Sequence, residues 1–241
     1  MTYQTADARK EFDSWSRHYD RSLLQSFFFQ PAHRMLIDYL QPSDRRILDI
    51  GSGTGVFAER VLARHSETQV WGLDLSAGML GRCCMRAQVP GDRLHLVQGD
   101  SQRLPFQDNA FDVVTCTHSF HHYPRQELVV AEMCRVLRPG GRLFIIDGDR
   151  DRWWGQLFFD VLVVLLEGPV RHLTSQALRE LYRDAGFANI SQRRRGGPLP
   201  FLLTTGQAAK TSRVVRSRQA ARFAFAGQAV GRTDSDSMLG E

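Results

Sequence analysis

An α/β fold built on a mostly parallel sheet is what this chain predicts, on three observations. Between Arg46 and Phe57, the β-favouring apolar residues Ile47, Leu48 and Ile50 lead into Gly51, Gly53 and Gly55, and a helix follows from near Val56. Gln69 to Asp74 then reads as a second strand, and Ser76 is placed to cap the next helix, so the order is β-α-β. Three acidic residues, Asp49, Asp74 and Asp100, stand at or near the ends of three successive strands, and a parallel sheet gathers such ends at one edge.

The remaining elements follow in order. Residues 9–26 carry Phe12, Trp15, Tyr19 and Leu23 at spacings of three and four, which is one face of a helix. A second helix is predicted from Pro31, a good first-turn residue, through Met35, Leu36 and Tyr39 to Leu40, before Pro42. Strand three is predicted over Leu94–Asp100 and strand four over Asp112–Thr117. Residues 125–138 then hold Leu128, Val129, Ala131, Met133, Val136 and Leu137 as a broad apolar stripe on a helix. Arg138-Pro-Gly-Gly-Arg142 should end that helix, with strand five running from Leu143 to Asp147. Thr174 to Ala185 reads as an amphipathic helix stopped by Gly186, and residues 187–195 and 198–205 as a final antiparallel pair.

One run stands apart. Trp153 to Leu166 is the most apolar stretch, but its 14 residues, interrupted by Asp160, fall short of the ~20 that a helix needs to span a bilayer. Three readings stay open for it: a core or dimer helix, a roof over an apolar substrate pocket at the sheet edge, and a contact with a lipid surface. The domain organisation expected is an N-terminal helical lid over 1–41, a main domain over 42–206 with an apolar insertion at 150–172, and a flexible tail over 207–241.

Composition narrows the function. The 241 residues are 42% hydrophobic and 24% charged, ordinary for one globular domain with extensions. Residues 206–241 supply +3 of the net charge of +5, so the preceding domain is nearly neutral and offers no basic face for nucleic acid. Cys83, Cys84, Cys116 and Cys134 show no metal-ligand spacing and read as reduced and mostly buried, so no metal site is indicated. The polar N-terminus lacks the apolar core of a secretory signal, and a cytoplasmic location is expected.

The glycine turn carries the chemistry. A dinucleotide fingerprint has the spacing Gly-x-Gly-x-x-Gly, with a pyrophosphate at the helix N-terminus. Here the spacing is Gly-x-Gly-x-Gly, and Asp49 lies two residues before the first glycine, where a carboxylate repels a pyrophosphate and attracts a cation. This points away from NAD and towards a positively charged nucleoside. Asp74, at the end of the next strand and 19 residues after Gly55, is placed to accept from both vicinal hydroxyls of a ribose; the alternative is a helix-entry turn residue.

Leu48-Asp-Ile-Gly-Ser-Gly-Thr-Gly55 resembles the first motif of the class I, Rossmann-like S-adenosylmethionine-dependent methyltransferases. Gly99-Asp-Ser101, with Leu104-Pro-Phe106 and Phe111-Asp112 after it, is similar to the third and fourth motifs of the family's small-molecule branch, and Leu137-Arg-Pro-Gly-Gly-Arg-Leu143 also matches. The resemblance covers residues 10–205. It implies a doubly wound seven-stranded sheet of order 3-2-1-4-5-7-6, mostly parallel, with the last strand antiparallel. It implies S-adenosyl-L-methionine as cofactor, with Gly51, Ser52, Gly53, Thr54 and Gly55 along the methionine end and Asp49 near the ammonium group. By the same carry-over Asp74 takes the ribose, Asp100 and Ser101 meet the adenine, and Leu75 and Met79 are further cofactor contacts. Thr117 faces the cofactor from strand four, and Tyr19 either folds over it or packs in the core.

Methyl transfer is an in-line displacement that discharges a sulfonium, so alignment and desolvation suffice for much of it, and a base is needed only for an acceptor with a high pKa. His121, just beyond strand four, and Asp147, at the end of strand five, are the candidate catalytic residues, because both flank the point where strand order reverses. Loop packing is the alternative for the first and a turn role for the second. Amino-group methylases of nucleic acids or protein glutamine resemble a branch with Asn/Asp-Pro-Pro-Tyr/Phe after strand four. Here that place reads Thr117-His-Ser-Phe-His-His-Tyr123, which favours a small, apolar or aromatic acceptor and C- or O-methylation. The most similar branch is that of quinone-biosynthesis C-methyltransferases, whose Arg-Asn after strand four is replaced by His121-His122. A cofactor-binding partner subunit without turnover is the competing class. The protein is expected to be a monomer or homodimer.

Overall fold

The computed structural model describes residues 29–86, 92–151, 155–156, 170–196 and 200–209. Tyr19, the expected helix over 9–26, nearly all of Trp153–Leu166 and the tail beyond residue 209 lie outside these. Seven strands form one sheet of order β3-β2-β1-β4-β5-β7-β6. They are β1 (Arg46–Ile50), β2 (Gln69–Asp74), β3 (Leu94–Gln98), β4 (Phe111–Thr117), β5 (Leu137–Gly148), β6 (Phe187–Arg195) and β7 (Phe201–Ala208). β3, β2, β1, β4 and β5 pair in parallel, and β7 pairs antiparallel with both β5 and β6.

Alternation along the strands splits the core in two. Leu48, Ile50, Val114 and Ile145 face one side, where α4 (Gln126–Val136) buries Val129, Val130 and Met133, and α5 (Ser175–Asp184) buries Leu178 and Tyr182. Ile47, Val113, Phe144 and Ile146 face the other, under Ala32 and Leu36 of α1 (Gln30–Ile37) and Phe57, Val61 and Leu62 of α2 (Val56–Arg64). A sheet buried on both faces needs such continuous apolar strands, and β1 and β4 have them.

Two polar clamps hold the start of β1 and the loop before β4. The Asp112 carboxylate accepts from the backbone N–H groups of Arg45 (2.7 Å) and Arg46 (3.0 Å) and pairs with Arg138 at 2.7 Å, so the Phe-Asp motif does structural work at the opening of β1. Glu132 accepts from the Leu104 N–H, while Arg135 donates to the carbonyls of Leu104 and Phe106. That pair on α4 pins the loop that follows Asp100 and Ser101.

Three boundaries differ from expectation. Residues 137–141, read as a helix end and turn, are the opening of β5, because Leu137 pairs with Phe111 across a register shift. β7 begins at Phe201, residues 198 and 199 lying outside the described ones, and continues to Ala208, since Gly206 and Gln207 find partners in Leu143 and Arg142 of β5 and Ala208 in Phe187 of β6. Strand three stops at Gln98, so Gly99 and Asp100 lie in the turn beyond it.

Candidate functional site

The carboxyl ends of β1 and β4 meet where the strand order reverses, and the glycine turn sits on this edge. Gly51, Gly53 and Gly55 all take positive φ, 69°, 54° and 79°. A Cβ on Gly55 would stand 2.1 Å from Cys83 Sγ, so that glycine lets α2 pack against α3 (Ala77–Arg86). At Gly53 a Cβ would meet nothing within 4 Å, so its backbone faces open space and can receive a ligand. Ser52 turns inward: its buried Oγ would come within 3.0 Å of a Cβ on Gly72, so any role at a ligand falls to its backbone.

Asp74 ends β2 beside that turn. One carboxylate oxygen accepts from the Gly53 N–H at 2.8 Å and the other from the Ser76 N–H at 2.9 Å, while Ser76 Oγ accepts from the Met79 N–H and caps α3. The turn role and the position beside the open glycine are therefore combined in one side chain. Met79 is buried and Leu75 half-buried next to it. Asp100 accepts from the Gln102 N–H at 2.8 Å and shapes the turn in which Ser101 is buried. Thr54 is buried, and Thr117 is half-buried at the end of β4.

Asp49 lies under the turn, 1% exposed, and accepts from Thr115 Oγ1 at 2.8 Å. Burial pushes its carboxyl up to about 7, the Thr115 hydrogen bond opposes this, and the charge of Asp74 adds to it. A buried carboxylate of this kind is stabilised by an approaching cation. Thr115, its partner across β1 and β4, carries no signal in the sequence.

The second group is centred on Asp147, at the end of β5. Its Oδ1 lies 2.7 Å from His121 Nδ1 and accepts from the Gly148 N–H at 2.8 Å, and its Oδ2 accepts from the His121 N–H at 2.9 Å. His121 belongs to a 3₁₀ turn over Phe120–His122, just beyond β4. His172 joins them: its ring stacks on His121 with centroids 4.3 Å apart and its Nε2 is 3.9 Å from Asp147 Oδ1. Burial alone would raise the Asp147 carboxyl, but the charge and hydrogen bond of His121, with His172 and His118 beyond it, hold it well below the usual range. His118, at φ 52°, packs edge-on against Phe29 and is pushed down to about 3 by burial. The structure thus brings His121 and Asp147 into direct contact and adds His172, which sequence reasoning missed; it stands at the end of the insertion expected over 150–172, where no motif marks it.

The glycine turn and the Asp147 group lie on the same sheet edge, one after β1 and the other after β4 and β5. The family described as a methyltransferase domain matches residues 48–145, from inside β1 to inside β5. A ubiquinone/menaquinone biosynthesis C-methyltransferase of Paracoccus denitrificans is 39% identical over 181 residues, 66% of this chain and 72% of that protein. The chain belongs to the class I S-adenosylmethionine-dependent methyltransferases. A fatty-acid O-methyltransferase of Mycolicibacterium smegmatis is 39% identical over 138 residues, 56% of this chain and 47% of that one. The chain spans about half the length of other curated relatives that it matches. Among solved structures, magnesium protoporphyrin IX methyltransferase of Synechocystis with bound S-adenosylhomocysteine shares the fold at a TM-score of 0.71 and 16% identity, covering 86% of this chain and all of that one.

The family's cofactor is S-adenosylmethionine, and this site fits it. Gly53 offers bare backbone, Asp74 offers a carboxylate at the end of β2 beside it, and Asp49 is a buried acid that gains from a nearby cation. Among the described residues, no helix is long and apolar enough to cross a membrane.

Proposed function

We propose that this protein transfers the methyl group of S-adenosylmethionine to an apolar or aromatic small molecule, at carbon or oxygen. The observation that carries this reading is the presence of two built groups at one sheet edge: the glycine turn with Asp49 and Asp74, and the His121–Asp147 pair 2.7 Å apart. When bound, S-adenosylmethionine supplies an electrophilic methyl carbon on a sulfonium. Gly51, Gly53, Thr54 and Gly55 would hold its methionine end, Asp49 its ammonium, Asp74 its ribose, and Asp100 and Ser101 its adenine, and Leu75, Met79 and Thr117 would complete the contact; Tyr19 lies outside the described residues.

On the acceptor side, a carboxylate can only accept, so Asp147 fixes the His121 tautomer with its proton on Nδ1 and leaves the basic lone pair on Nε2. That nitrogen takes the proton of a hydroxyl or acidic carbon as the new bond to methyl forms, and Asp147 stabilises the imidazolium. Asp147 is itself held by two backbone N–H groups, so the base is oriented before an acceptor arrives. Apolarity of the acceptor is supported by the aromatic composition of residues 12–29 and 153–159, and by relatives named for quinone and fatty-acid methylation.

The test is the release of S-adenosylhomocysteine by purified protein given S-adenosylmethionine with phenols, quinols and fatty acids in turn. Release that depends on one of these acceptors supports the reading. Tight S-adenosylhomocysteine binding with no acceptor-dependent release across the panel would instead make the chain a cofactor-binding partner.

A further inference from the structure

We infer that His121, Asp147 and His172 form a binding site for one divalent transition-metal ion. The three side chains come from three separate segments, the turn after β4, the end of β5 and the stretch before α5, and each offers one ligand atom within 4.8 Å of the other two. All three are buried. The site goes beyond the methyl-transfer reading and shares His121 and Asp147 with it, so an ion bound there would compete with the role of His121 as base.

The spacing of the ligand atoms is close to what a metal needs. Metal–nitrogen and metal–oxygen bonds of about 2.1 Å in a tetrahedral site place neighbouring ligand atoms about 3.4 Å apart. The two separations to Asp147 Oδ1, 2.7 Å from His121 and 3.9 Å from His172, fall on either side of that length. A cation would turn the His172 ring out of its stack on His121 so that both lone pairs point at the ion, and would take the place of the proton between His121 Nδ1 and Asp147, which moves to Nε2 and keeps the ring neutral. Two imidazoles and one carboxylate suit Zn(II), Co(II) or Fe(II), and leave positions for exchangeable ligands.

The surroundings are built to hold the ligands. Gln126, itself buried, donates through Nε2 to the carbonyls of Phe120 (3.0 Å) and Arg171 (2.9 Å), the residues that precede His121 and His172. The Arg171 N–H donates back to the His121 carbonyl at 2.9 Å, so the two histidine segments are tied together. A cavity of about 300 Å³, lined by Arg150, Arg171, His172 and Thr174 among others, reaches the cluster at His172 and gives water or an acceptor oxygen a way to the open positions.

Cobalt reports on such a site directly. The untagged full-length protein, stripped with a chelator and then dialysed, is titrated with Co(II) and followed by visible absorption, with Zn(II) added as a competitor. One equivalent of Co(II) should bind with saturable d–d bands that Zn(II) removes. His172→Phe keeps the ring and its stacking but removes the nitrogens, and should weaken binding by at least about 100-fold, since loss of a supporting partner alone costs up to that much. Asp147→Asn should do likewise, and circular dichroism with S-adenosylhomocysteine binding checks that each variant is folded. Absence of a saturable signal in the wild type, or equal Co(II) affinity in a folded His172→Phe or Asp147→Asn protein, overturns the site. Either result leaves acceptor-dependent methyl transfer to be judged on its own assay.

Discussion

Asp49 links the burial of one carboxyl to the affinity of the whole site. Burial lifts its pKa from an ordinary 3.8 to about 7, so the protein without cofactor carries a proton there at pH 6 and has lost it at pH 8. An ammonium group selects the carboxylate. With a pKa of about 7 the ionised fraction rises from about a tenth at pH 6 to about nine-tenths at pH 8, so affinity for S-adenosylhomocysteine should rise about tenfold over that interval. At pH 7 binding should release about half a proton, which calorimetry in phosphate and in Tris would count from their different ionisation enthalpies. Asp49→Asn should abolish both the proton release and the pH slope. The sign for folding is the reverse of the usual acid case. The native pKa is raised, so the contribution of Asp49 to stability is full below about 4 and is lost as pH rises towards 7. Equal affinity at pH 6 and pH 8, with no dependence on buffer, would refute the placement of Asp49 against a cation.

Other residues give independent tests. Asp74→Ala should weaken S-adenosylhomocysteine binding by about 1–3 kcal/mol, because it leaves ribose hydroxyls and the Gly53 N–H without an acceptor; unchanged affinity by calorimetry would remove Asp74 from the site. His121→Ala, in chelator-treated protein, should lower kcat by about 100-fold or more while S-adenosylhomocysteine affinity holds, and an unaltered kcat would strip His121 of its role as base. His33 is buried on α1 beside Phe57, and burial, with Arg60 adding to it, lowers its pKa to about 3. It therefore stays neutral in the fold while the unfolded chain takes up a proton below about 6.5, so its contribution is present above that pH and is lost as pH falls towards 3. At pH 5 this costs about 2 kcal/mol, and His33→Leu should flatten the fall in Tm between pH 7.5 and pH 5.

What the sequence discloses is local. The β1 turn, the second strand with Asp74 and its Ser76 cap, and the thrice-repeated acid at a strand end each lie within a few residues, and all reappear in the fold. The contacts that give the site its electrostatics are not local. Asp49 meets Thr115 through the register of β1 on β4, and Asp147 meets His121 across 26 residues. His172 reaches both from a loop that carries no periodicity, so nothing in its neighbours marks it. Strand ends were misplaced for the same reason. Leu137–Gly141 has the proline and glycines of a turn, yet tertiary pairing with β4 makes it strand, and pairing with Arg142 of β5 and Phe187 of β6 carries β7 on to Ala208.

The account stands or falls on the movement of a methyl group. Purified protein would be incubated with S-adenosylmethionine bearing a deuterated methyl group and, in parallel, with organic and aqueous extracts of small metabolites, and the products read by mass spectrometry. A species heavier by one labelled methyl group should form with one equivalent of S-adenosylhomocysteine, and its yield should fall strongly in His121→Ala. A labelled product found only among polar, water-soluble metabolites, or none at all from protein that binds S-adenosylhomocysteine, would contradict it.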